Sequence, residues 1–150
     1  MDLPEDHATV LHRLRSSISA DERFIGLAAG GSLLAGTVDW YSDLDLLVVV
    51  DSAHHAAVMN ARQQLARAWG KLLVAFTGEH VGEPRLLICL YDDPILHVDL
   101  KFVTLDELKH RIEDPAVLWE RGSAVSAVIN RTQAETATLD AQWIEDRFWV

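Results

Sequence analysis

The stretch GGSLLAGTVDWYSDLDLLVVV, residues 30–50, places two carboxylates, Asp43 and Asp45, at the entrance of an otherwise apolar run from Leu44 to Val50. The run reads as a strand entering a core. Side chains alternate along a strand, so residues two apart share a face. Asp43 and Asp45 therefore aim together, with Cα atoms roughly 6.5 Å apart. Two parallel carboxylates in a partly buried place raise one another's pKa unless a cation lies between them. Mg²⁺ suits that role, because it takes carboxylate oxygens and shares its remaining positions with substrate phosphates. The strand Ile95 to Val103 supplies a third carboxylate, Asp99, among apolar neighbours. A buried isolated Asp is costly and needs a partner. Each has a plain structural reading: Asp43 as a turn residue, Asp45 on an edge strand, and Asp99 answering His97 or Lys101, which share its strand face. Together the three predict a metal site with Asp43, Asp45 and Asp99 as ligands.

The other end of the same stretch predicts a phosphate pocket. Gly30-Gly31-Ser32 follows the strand Phe24 to Ala29 and opens a segment ending at Gly36. Glycines let a backbone approach phosphate closely, and the N–H groups of a helix N-terminus attract anions. The Ser32 hydroxyl can donate to a phosphate oxygen.

Gly31-Ser32, ten residues, then Asp43-Leu44-Asp45 and an apolar strand resembles the signature of the polymerase-β-like nucleotidyltransferase superfamily. Ala29 to Val50 is most similar to its bacterial small-substrate branch, which includes aminoglycoside adenylyltransferases; the resemblance covers about residues 20–105. It implies a small mixed sheet flanked by helices. It implies transfer of a nucleoside monophosphate, adenylyl foremost, from an NTP to the hydroxyl of a small acceptor such as an antibiotic, with pyrophosphate leaving. Gly31 and Ser32 would hold the triphosphate, Asp43 and Asp45 would ligate Mg²⁺, and Asp99 would be a third ligand or the base toward the acceptor. Two ions about 3.5–4 Å apart would polarise the attacking oxygen and stabilise the leaving one. Lys101 is the candidate cation for the triphosphate, with a salt bridge to Asp99 as its equal alternative. The chain departs from the antibiotic-modifying members in ending as a C-terminal helix begins. A minimal nucleotidyltransferase of the toxin–antitoxin kind, acting on or binding a partner protein, is the competing expectation.

Working outward, Pro4 to Ser19 predicts an amphipathic helix with Leu3, His7, Val10, Leu11, Leu14 and Ile18 on one stripe. Ser52 to Gly70 predicts one helix, closed by Gly70. Leu72 to Phe76 reads as a short strand, Thr77 to Pro84 as a loop, and Arg85 to Tyr91 with Ile95 to Val103 as a hairpin around Asp92-Asp93-Pro94. Thr104 to Glu107 is a capping box opening a helical segment, whereas the similar Ser19 to Glu22 is a decoy. Val117 to Asn130 fits helix or extended chain. Thr136 to Val150 predicts a helix with Leu139, Trp143, Ile144 and Phe148 on one side. The expected organisation is a nucleotidyltransferase domain over 1–115 and a C-terminal helical extension over 116–150. The extension's bare apolar face predicts a homodimer, a partner protein or a further domain.

The bulk properties fit this α/β reading with a mixed sheet. The chain has 150 residues, 49% hydrophobic and 24% charged, which suits a globular domain. Its formal charge of −10 opposes binding to long nucleic acid, which needs a basic surface. No apolar run is long enough to cross a bilayer, and the acidic start has no signal-like region. A cytoplasmic protein with a reduced, buried Cys89 is the expectation.

Overall fold

The computed structural model describes residues 3–135. It is a mixed α/β structure. Helix α1 (Glu5–Ser19) leads into strand β1 (Phe24–Ala29), the one-turn helix α2 (Gly31–Ala35) and strand β2 (Leu44–Val50). Helices α3 (His55–Asn60) and α4 (Arg62–Ala68) precede strands β3 (Lys71–Gly78), β4 (Glu83–Asp92) and β5 (Leu96–Val103). The short helix α5 (Leu105–Leu108), strand β6 (Ala116–Glu120) and helix α6 (Ala124–Arg131) complete the described chain. The six strands form one sheet in the order β3-β4-β5-β2-β1-β6. Only β2 and β5 are parallel; every other neighbouring pair is antiparallel.

Alternation decides the two faces. Leu44, Leu46, Val48 and Val50 of β2 lie beside Val98, Leu100 and Phe102 of β5 and Leu87, Cys89 and Tyr91 of β4 in the main core. Val10, Leu14 and Ile18 of α1, with Val58, Ala66 and Trp69, cover this face. Of the expected α1 stripe, His7, Val10, Leu14 and Ile18 are buried, and Leu3 and Leu11 are half-buried against the core. Trp69 meets Phe24 edge-on and stacks on Phe102. Burial pushes the Cys89 thiol up to about 12, which keeps it an inert thiol.

Among the described residues, the opposite face is covered only in part. Val49, Val103, Leu108 and Val125 form a smaller cluster under α5 and α6. Helix α6 sits so close to β1 that a Cβ on Gly26 would overlap Val125. On this face β2 and β5 also carry Asp45, His97, Asp99 and Lys101, all half-buried.

Several boundaries differ from the sequence expectation. The helix expected over 52–70 is broken: a 3-10 turn over Ser52–His54, capped by Asp51, precedes α3, and α4 follows after Ala61. Strand β3 runs two residues beyond Phe76, and β4 begins at Glu83, inside the expected loop. The capping box at Thr104 is present with both reciprocal bonds, yet its helix lasts one turn. The ambiguous segment 117–130 is both things, strand β6 and then helix α6. Because β6 pairs with β1, the sheet continues past residue 115. The helix expected over 136–150 lies outside the described residues.

Arg111 clamps the end of α6 to the loop after α5. Its buried guanidinium donates to Asp114 Oδ1 at 2.7 Å, Thr132 Oγ1 at 2.6 Å, and the carbonyls of Ile129 and Thr132 at 3.1 and 3.0 Å. Arg111→Ala leaves these acceptors without donors. It is expected to cost about 3 kcal/mol, or roughly 10 °C in Tm, by calorimetry; an unchanged Tm would remove the clamp from the account.

Candidate active site

The three predicted carboxylates converge on the open face. In the parallel β2–β5 pair, Asp45 is the direct register partner of Asp99. Asp43 stands just before β2. His97, two residues ahead of Asp99 on the same strand face, joins the set: its Nε2 is 2.8 Å from Asp99 Oδ1 and its Nδ1 is 3.3 Å from Asp43 Oδ2. The imidazole thus bridges two of the acids.

The electrostatics follow from this crowding. Burial, and then the Asp99 and Asp43 charges, push the Asp45 carboxyl up to about 6, against a smaller opposing effect of His97. In its acid form Asp45 can hydrogen-bond Asp99. His97 is raised in turn, chiefly by its hydrogen bond to Asp99 and further by the charges of all three carboxylates.

The glycine turn closes directly on this cluster. Gly30 N donates to the Asp45 carbonyl at 2.9 Å. Gly31 has φ +57, a left-handed conformation that favours glycine. A Cβ there would lie 3.0 Å from Asp45 Cγ and would overlap its Oδ2. The absence of a side chain at 31 is what lets the turn reach the carboxylate. Ser32 follows in α2, which ends before Gly36 at φ +71.

The loop ahead of Asp43 is pinned. Asp39 Oδ1 accepts from Tyr41 N at 2.9 Å and Ser42 Oγ at 3.1 Å, while buried His7 of α1 bonds the Ser42 carbonyl through Nε2 at 2.6 Å. This turn holds Trp40 and Tyr41 in solvent, 62% and 95% exposed, so Trp40 is not a core residue.

Lys101 faces the same side of the sheet as Asp99, but the ion partner it finds is Glu83, at 3.2 Å. Glu83 also accepts from Arg85, which reaches Glu107 at 3.0 Å. Burial acts to raise Glu83, but the Arg85 hydrogen bonds and the Lys101 charge outweigh it and hold the carboxyl at about 2. Arg85 is therefore part of a network rather than free surface. His54 is exposed in the 3-10 turn after β2. Sequence reasoning missed Glu83, whose loop placement hid it. It also missed Glu113, whose carboxylate comes to 3.5 Å from the position of a Cβ on Gly30; nothing local signals that approach.

The chemistry of the donor set suits a hard divalent cation: three carboxylates, one of them pushed up to about 6 first by burial and then by neighbouring negative charges that a cation would offset. Among the described residues no group of three or more ligands is already drawn to metal-binding geometry; the His97 ring stands between Asp43 and Asp99. No protein-family model matches the chain, and no curated protein matches it. Among the described residues, no helix is long and apolar enough to cross a membrane.

Proposed function

We propose that this protein is a Mg²⁺-dependent nucleotidyltransferase of the polymerase-β-like fold, moving a nucleoside monophosphate, adenylyl foremost, from an NTP to a hydroxyl of a small acceptor. One observation carries the reading: Asp45 and Asp99 are paired across parallel strands directly beneath a glycine turn where an added Cβ would overlap the Asp45 carboxylate. Three acids gathered beside a glycine turn suit a metal-bound triphosphate better than they suit structure alone, since their mutual repulsion raises the energy of the fold.

In this reading Gly31 and Ser32 hold the triphosphate, and Asp43, Asp45 and Asp99 hold the metal. Mg²⁺, when bound there, would neutralise phosphate charge and polarise the reacting oxygens. The acceptor oxygen forms a bond to the α-phosphorus as the bond from that phosphorus to the pyrophosphate oxygen breaks, and pyrophosphate leaves with the electron pair. Asp99 accepts the hydroxyl proton. His97 orients the Asp99 carboxylate through its 2.8 Å contact. Phosphoryl-group transfer needs mainly positioning and charge neutralisation, so this small set of residues is enough. Lys101, already paired with Glu83, holds that flank of the site rather than standing free for phosphate.

The test is pyrophosphate release from ATP and the other NTPs with Mg²⁺ and a panel of hydroxylated acceptors. Asp99→Asn is expected to lower release at least about 100-fold, as loss of a general base does. Release that survives chelation of Mg²⁺ or that is unchanged in Asp99→Asn sinks the reading.

A further inference from the structure

The strand register continues the candidate site into an apolar shelf. Pairing lines up Phe76, Ile88, Asp99 and Asp45 in one row across β3, β4, β5 and β2. The next row is Val74, Leu90 and His97. Phe76 and Val74 are 47% and 49% exposed, although both sit in a sheet. Between them and the acids, among the described residues, the face presents Ile88 and Leu90, with Leu86 beside them. Ion pairs bound the shelf at both ends: Lys71–Asp92 at 3.4 Å and Lys101–Glu83 at 3.2 Å. Strands lie about 4.8 Å apart, so Phe76 stands about 10 Å from Asp99.

The geometry points to an acceptor with an apolar body about 10 Å long that lies on Phe76, Val74, Ile88 and Leu90 and presents a hydroxyl to Asp99. This inference rests on the nucleotidyltransferase reading. The continuity of the row selects the occupant: Ile88 is the direct partner of Asp99, so a molecule resting on the shelf ends at the carboxylate. An apolar wall with a few convergent polar groups at one end is the usual make-up of a small-molecule site. A polycationic amino sugar fits the apolar strip poorly, because Phe76, Val74, Ile88 and Leu90 desolvate its ammonium and hydroxyl groups and give them no partners.

The test uses the full-length chain, with naphthyl ethanol as apolar alcohol and kanamycin as polycationic sugar, titrated calorimetrically without nucleotide. Naphthyl ethanol is expected to bind, and Phe76→Lys and Val74→Lys each to weaken it tenfold or more while Mg²⁺-ATP binding and Tm stay unchanged. Phe76→Ser provides the same measurement should a lysine disturb the strand. Binding lost in these variants without any nucleotide transfer supports the apolar site and counts against the transferase reading alone. Two results overturn the inference. One is kanamycin binding that ignores all three variants while naphthyl ethanol does not bind. The other is light scattering that shows a dimer converted to monomer by Phe76→Lys, since a second copy would then cover the shelf.

Discussion

Asp45→Asn is expected to lower pyrophosphate release by at least about 1,000-fold while raising the Tm of the protein at pH 7.5. The two effects have one origin. Asp45 is held at about 6 in the fold, above about 3.9 in an unfolded chain. A raised folded pKa means that the folded state holds the proton more tightly. The favourable contribution is therefore full below pH 4 and is lost as pH rises from about 4 to about 6. Above that window the charged Asp45 costs about 1–2 kcal/mol, after a discount for its partial solvent contact. The amide has the same shape without the charge, so the fall in Tm between pH 4 and pH 6 should shrink in the variant. Mg²⁺ should raise the Tm of the wild type and do little for Asp45→Asn. Calorimetry at pH 4, 5, 6 and 7.5, with and without Mg²⁺, reads all of this. Full activity in the variant removes Asp45 from the chemistry; a Tm profile parallel to wild type removes the electrostatic account.

Gly31→Ala should be nearly as damaging, for steric reasons. Alanine at φ +57 costs about 1–2 kcal/mol. Its Cβ also overlaps the Asp45 carboxylate, which must rotate away from its place beside Asp99. A displacement near 1 Å at a reacting centre is worth about 100-fold in rate. The expected result is that loss, with a Tm lower by about 3–6 °C. A double-mutant cycle separates the terms: in an Asp45→Ala background, Gly31→Ala should cost only the backbone strain. Equal costs in both backgrounds would show that the turn and the carboxylate do not press on each other.

The carboxylates were legible because alternation is a local rule. Asp43, Asp45 and Asp99 interrupt apolar strands, and a period of two puts His97 and Lys101 on the face of Asp99. What no local rule states is that β2 and β5 are parallel neighbours in a register that pairs Asp45 with Asp99; that depends on the whole sheet. His97 satisfies the structural expectation, a hydrogen-bonded histidine, and still lies inside the acidic cluster. Strand alternation offers Lys101 either phosphate or Asp99, and the partner it has is Glu83, from a segment that reads as loop. The break at Ala61 has no glycine or proline to announce it. There Arg62 turns its guanidinium to the carbonyls of Met59 and Pro84, so a contact with the start of β4 divides a segment whose periodicity alone runs on. Likewise Pro84 suggests a loop, yet a proline is tolerated near the start of a strand.

The one parallel pair in the sheet also orders events during synthesis. Antiparallel neighbours such as β3 and β4 can zip together as soon as their turn is made, whereas β2 must wait with an open flank until α3, α4, β3 and β4 have emerged and β5 can slot in beside it. Asp45 and Asp99 meet only when β5 arrives. A nascent chain halted before β5 holds the glycine turn and two of the acids but not the third, so any chemistry that needs all three waits for that strand.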